Sequence, residues 1–132
     1  MFEFHGWAVI CESTIEIDNG NLQNITSTLK TLVDDIKWYQ FGFGFASADY
    51  YNGKFIITTN GNAKRAYRVP QLFSLFQKIA EIAPGSYGLL YIWDHESGDN
   101  EFAVWVLAKG SFKKHNDTLL SPCIPVIEDD VP

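Results

Sequence analysis

Phe2, Phe4, Ala8 and Ile10 fall on one side of an extended segment, and Glu3, His5, Trp7, Val9 and Cys11 fall on the other. This alternation predicts a strand over Phe2–Cys11, with apolar groups on both faces. Past the polar punctuation of Asp18, Asn19, Gly20 and Asn21 the period changes. Leu22, Ile25, Leu29, Leu32, Val33 and Ile36 recur at three- and four-residue steps, which predicts an amphipathic helix to about Lys37. Phe41–Tyr51 follows as a strand diluted by Gly42 and Gly44. Asn52 and Gly53 then form a two-residue hairpin signal, because both turn positions favour positive φ, and Lys54–Asn60 is the partner strand. Beyond a loop over residues 61–68, Pro70 is placed to open a second helix with an apolar stripe of Leu72, Phe73, Phe76, Ile79, Ala80 and Ala83. Pro84 and Gly85 end it. Tyr87–His95 and Asn100–Lys109 are two further strands, joined by a short polar turn.

The order β-α-β-β-α-β-β predicts an α+β fold of the split βαβ kind, with a mostly antiparallel sheet and both helices packed on one face. In that arrangement the first strand lies beside the fourth, and the fifth extends the same side. At 132 residues the chain makes one domain, with a core over residues 1–110 and an extended tail over 111–132 packing on it. No apolar run reaches the roughly 18–20 residues needed to span a membrane, and the first residues lack the pattern of a signal peptide.

Alternation also sorts side chains between faces. Leu90, Ile92, Phe102, Val104 and Val106 suit the helix-covered side, which assigns Tyr87, Leu89, Tyr91, Trp93, His95, Trp105 and Leu107, with His5 and Trp7, to the other. The rings of Trp7, Tyr91, Trp93 and Trp105 each have ~150–250 Å² to bury. Together they exceed the ~300–600 Å² of the largest apolar patch on an ordinary monomer, so a cover is expected. Two covers fit. One is the chain's own tail, through Leu119, Leu120, Ile124, Val126 and Ile127; the other is a partner protein, for which Trp and Tyr are typical anchors.

Charge sharpens this picture. Sixteen acidic against ten basic residues give a formal net charge of -6, which argues against binding nucleic acid through its phosphates. The acid is local: Asp94, Glu96, Asp99 and Glu101 cluster around one turn and Glu128, Asp129 and Asp130 near the end, leaving the remainder close to neutral. Such a segment either steers a basic partner into contact or is a solvated turn and tail.

Catalytic and metal chemistry find little support. His5 and Cys11 share a strand face but lie ~20 Å apart, too far for a base to activate a thiol. Cys123 reads as a packed thiol, and two cysteines make no zinc framework. Gly42 and Gly44 lack the third glycine and the following helix of a dinucleotide fingerprint, so close packing explains them better. Glu12, Glu16 and Asp18 lack calcium-loop spacing. Lys64, Arg65 and Arg68 read as solvated surface.

The opening Glu3-Phe4-His5-Gly6-Trp7-Ala8 and the closing Ser121-Pro122-Cys123-Ile124-Pro125, with Ile127-Glu128-Asp129 just after, resemble the two end signatures of the immunity protein 7 family of bacterial polymorphic-toxin systems. Length and element order are also similar, so the resemblance spans essentially the whole chain. It implies a small cytoplasmic α+β protein, not an enzyme and without a cofactor, that binds and neutralises a toxin encoded beside it and protects producer and sibling cells. His5, Gly6, Trp7, Ser121, Pro122, Cys123, Ile124 and Pro125 carry over only as family signature, since toxin contacts usually vary within such families. If the toxin is a nuclease, a basic substrate groove would accept an acidic inhibitor as a phosphate mimic. Two other readings stand beside this one: a small enzyme or ligand-binding domain with a pocket over the aromatic face, and a homodimer formed through the open sheet or the edge of the second or fifth strand.

Overall fold

The computed structural model describes residues 2–13, 20–38, 42–64, 69–96 and 101–119. Within them, β1 (Phe2–Ile10), α1 (Leu22–Asp34), β2 (Gly42–Tyr51), β3 (Lys54–Ala63), α2 (Pro70–Ile82), β4 (Tyr87–Asp94) and β5 (Ala103–Ala108) follow in the predicted order, and β6 (Ser111–Asn116) is added after them. They form one antiparallel sheet in the order β2-β3-β1-β4-β5-β6. The first four strands reproduce the split βαβ arrangement, with β1 between β3 and β4.

Both helices lie on one face. Phe2, Phe4, Ala8 and Ile10 of β1, Phe55 and Ile57 of β3, and Leu90 and Ile92 of β4 meet Leu29 and Val33 of α1 and Leu72, Phe76 and Ile79 of α2 in one apolar core. Phe4, Ile57, Leu72, Phe76, Ile79 and Leu90 are wholly buried. A buried ring or branched aliphatic of this size contributes ~1.5–3 kcal/mol relative to leaving it in water, so this layer supplies most of the driving force.

Local chemistry sets the boundaries. Asn52 and Gly53 both adopt positive φ, 51° and 81°, as the two-residue turn between β2 and β3 requires. Pro70 stands at the first turn of α2, where its missing N–H costs nothing. The residue before it, Val69, is wholly buried and held at φ 48°, a left-handed conformation that strains a β-branched side chain. Gly44 of β2 serves close packing: a Cβ there would lie 2.8 Å from Trp38 Cε3, whose ring stacks on Phe4 at 5.6 Å.

Three details depart from expectation. β3 runs on to Ala63 through residues read as loop, because β1 pairs along that length, from Phe2↔Ala63 to Ile10↔Phe55. Ser111–Asn116, read as the start of the tail, forms β6 across a Lys109-Gly110 turn whose residues both have positive φ, 52° and 73°. β5 is therefore an internal strand, not an edge.

The third departure is the phase of β5. Leu90 pairs with Trp105 and Gly88 with Leu107, and directly paired residues share a face, so Trp105 and Leu107 point toward the helices. Trp105 packs edge-on to Phe73 at 5.3 Å and stacks with Phe112 at 5.2 Å. Val104 lies on the other face opposite Tyr91, and Val106 opposite Leu89. The assignment of Trp105 and Leu107 to the open face, and of Phe102, Val104 and Val106 to the helix side, is thus reversed. β5 is apolar on both faces, so its alternation carries no phase.

Candidate functional site

The face without helices is ordered by register into rows that cross the sheet. One row runs Phe43, Asn62, Glu3, Trp93; the next Phe45, Asn60, His5, Tyr91, Val104, His115; the third Ser47, Thr58, Trp7, Leu89, Val106, Lys113. Trp7, Tyr91 and Trp93 therefore share this face, as expected, and Trp105 does not.

The rings gather in two groups. Trp7, 39% exposed, meets Tyr87, 42% exposed, edge-on at 6.1 Å. Toward the other end Tyr91 and Trp93 flank Phe102 at 5.8 and 6.1 Å, and the His95 ring lies 3.7 Å from that of Trp93. Phe102 is buried against both rings and Val104, opposite Tyr91, is buried too, so this group has a dry floor. The Trp93 indole N–H is buried with no hydrogen-bond partner among the described residues. An orphaned donor of this kind costs ~1–3 kcal/mol.

His5 sits between the groups and is held at both nitrogens. Nδ1 is 2.7 Å from Asn60 Oδ1 and Nε2 is 3.5 Å from Glu3 Oε2. The side chain is about half exposed, so this network orients an imidazole toward whatever meets the face. Gly6 turns the opposite way, where an added Cβ would lie 2.7 Å from Leu90 Cδ1. Within His5-Gly6-Trp7, the glycine thus serves the core while its neighbours serve the surface.

The acidic residues rim one end. Asp94 closes β4 opposite Phe2, on the helix side, with its Oδ1 accepting the Glu96 N–H at 3.2 Å; Glu96 and Glu101 are exposed, and Glu3 lies on the open face in the row beside Trp93. Asp99 lies outside the described residues, as do Glu128, Asp129 and Asp130 and the signature residues Ser121, Pro122, Cys123, Ile124 and Pro125. Of the residues read as a covering tail, Leu119 is 81% exposed and the others also lie outside the described residues.

Sequence reasoning missed the far end of the face. Phe43 and Phe45 on β2 are 84% and 52% exposed, as is Tyr51 at 52%. Their signal was present: phenylalanines alternate with Gly42, Gly44 and Ala46, so every large group of that stretch points one way.

Clefts lie elsewhere among the described residues. One, of about 490 Å³, opens between α1 and β2 beside Thr26, Lys30 and Tyr50; another, of about 410 Å³, lies between the helices over Leu32 and Leu75. Among the described residues no group of three or more His, Cys, Asp or Glu is placed to hold a metal ion, and no helix is long and apolar enough to cross a membrane. The described residues of this face form a broad surface of aromatic side chains with acidic groups near one end.

The family model described as immunity protein 7 matches residues 1–129. No curated protein and no solved structure matches the chain.

Proposed function

The chain belongs to the immunity protein 7 family, and from that premise we propose that it binds a cognate toxin domain through its open sheet face and so neutralises it. The observation that carries this reading is the set of rings on the face that neither helix covers, Trp7, Tyr87, Tyr91 and Trp93, with Glu3 in the row of Trp93 and the exposed Glu96 and Glu101 beyond the end of β4. Aromatic anchors over a dry floor supply affinity, and a charged rim supplies orientation and association rate. A toxin with a basic substrate groove, such as a nuclease, complements that rim. The protein then acts by occlusion in the cytoplasm, without catalysis and without a cofactor.

Co-expression with the toxin encoded by the neighbouring gene tests it. The wild-type chain is expected to restore growth and to co-purify with the toxin. Trp93→Ala or Tyr91→Ala weakens the complex by about 30-fold or more, the effect of losing an anchor worth ~2 kcal/mol. Neutralising Asp94, Glu96 and Glu101 together slows association chiefly at low salt. A toxin that still kills in the presence of the folded chain overturns the proposal.

A further inference from the structure

Hydrogen-bond geometry along β2 separates its inward and outward groups. The carbonyl of Phe45 accepts from Thr59 Oγ1 at 2.9 Å and that of Phe43 lies against Gly61, so the odd-numbered residues direct their backbone groups toward β3. The even-numbered residues then face outward, since these groups alternate along a strand. Two of the outward groups are occupied: Lys30 Nζ donates to the Ala48 carbonyl at 3.2 Å, and the Tyr50 N–H donates to Asp49 Oδ1 at 2.8 Å. The N–H and C=O groups of Gly42, Gly44 and Ala46 have no strand beside them among the described residues. This uncapped stretch is the one whose open-face side chains are Phe43 and Phe45.

We propose that residues 42–46 of β2 pair antiparallel with the same segment of a second copy of this chain, about a two-fold axis at Gly44. In that register Gly44 faces its own copy and Gly42 faces Ala46, each pair exchanging both backbone bonds. Phe43 of one protomer stands opposite Phe45 of the other at the closer, non-hydrogen-bonded positions. Four phenylalanines become one cluster on the open face, while the small residues leave the helix side undisturbed. Lys30 and Asp49 stop the pairing beyond this segment. The segment is self-complementary in hydrogen bonding, ring placement and side-chain size, and this favours a second copy over an unrelated strand.

Area sets the strength. With ~150–250 Å² per ring, the exposed parts of Phe43 and Phe45 amount to roughly 270 Å² per protomer, about a third of the ~800 Å² per partner in a standard interface. α1 flanks the same edge, through Lys30 and through the Tyr50 hydroxyl on Thr26 Oγ1, and the two α1 helices brought alongside add polar contact. The result is a weak dimer, populated at roughly 100 μM chain and above. It is closed, because the two-fold pairing uses the same segment of both copies.

Sedimentation equilibrium of the full chain between about 10 μM and 1 mM tests this. The apparent mass is expected to rise from 14.9 kDa toward twice that value. Ala46→Pro removes one outward N–H and leaves the bonds to β3 in place; Phe43→Lys removes a ring of the cluster. Each is expected to weaken association at least tenfold with the far-UV spectrum and dilute-solution melting temperature unchanged. A wild-type chain monomeric at 1 mM overturns the proposal, as does a dimer that both folded variants retain. If the wild type is monomeric and both variants lose toxin binding, the edge belongs to a strand of the partner and self-pairing is rejected. Toxin neutralisation is read separately, so failure of the dimer leaves the preceding proposal standing.

Discussion

The two edges of the sheet meet the same hazard with different chemistry. An edge strand leaves a row of unpaired backbone groups that invites another strand. β6 answers with side chains: in Ser111–Asn116 one large apolar residue, Phe112, turns inward to stack on Phe76 at 5.2 Å, while Lys113, Lys114 and His115 are exposed along the edge. β2 answers with caps on individual backbone groups, Lys30 on Ala48 and Asp49 on Tyr50, and leaves residues 42–46 uncharged. Charge protects a whole edge against any strand, whereas caps protect only the positions they occupy and so define a register.

Substitutions can break or sharpen that contrast. The largest effect is expected at Phe4, wholly buried beneath the bare stretch of β2 and stacked on Trp38. Phe4→Ala should cost ~3–5 kcal/mol in urea unfolding. Hydrogen exchange should accelerate more in β2 and β3 than in β5 and β6. Phe112→Ala is the counterpart for β6; the ring is only partly buried, so a loss of about 2–3 kcal/mol is expected, with exchange faster in β6 and β5. Gly44→Ala forces a Cβ against Trp38 and Phe4 and should lower stability by ~1–3 kcal/mol, read from the denaturation midpoint. Lys30→Met uncaps the Ala48 carbonyl; a stability change within about 1 kcal/mol should accompany stronger self-association, because the free edge lengthens. The smallest effect on folding belongs to Lys113→Thr with Lys114→Thr, within about 0.5 kcal/mol. Light scattering of that double variant should detect higher oligomers, since β6 would lose its guard.

The contrast also explains what could be read from the sequence. Both helices, the Asn52-Gly53 hairpin and the two faces of β1 are legible because each has one strong local signal: a helical apolar stripe, a turn residue with positive φ, or a strand whose inward positions are all apolar or glycine. β6 is not, because a guarded edge has few apolar residues to alternate. Its signal was the Lys109-Gly110 turn, which has the geometry of Asn52-Gly53 without the asparagine. β5 fails for the opposite reason. Its phase is fixed by pairing with β4 and not by its own composition, so Trp105 could not be placed from sequence, whereas Trp7, Tyr91 and Trp93 could. The phenylalanines of β2 were legible in principle and became meaningful only when the outward backbone groups were assigned.

The division of the four tryptophans has a practical consequence. Trp38 and Trp105 are packed against the core under the helices, while Trp7 and Trp93 lie on the open face. The molecule therefore carries two optical probes in separate compartments. Denaturant should shift the emission of all four, whereas a ligand docking on the sheet should perturb Trp7 and Trp93 and leave the other pair unmoved. Single Trp→Phe variants would assign each signal, so folding and docking can be followed independently in one unlabelled sample.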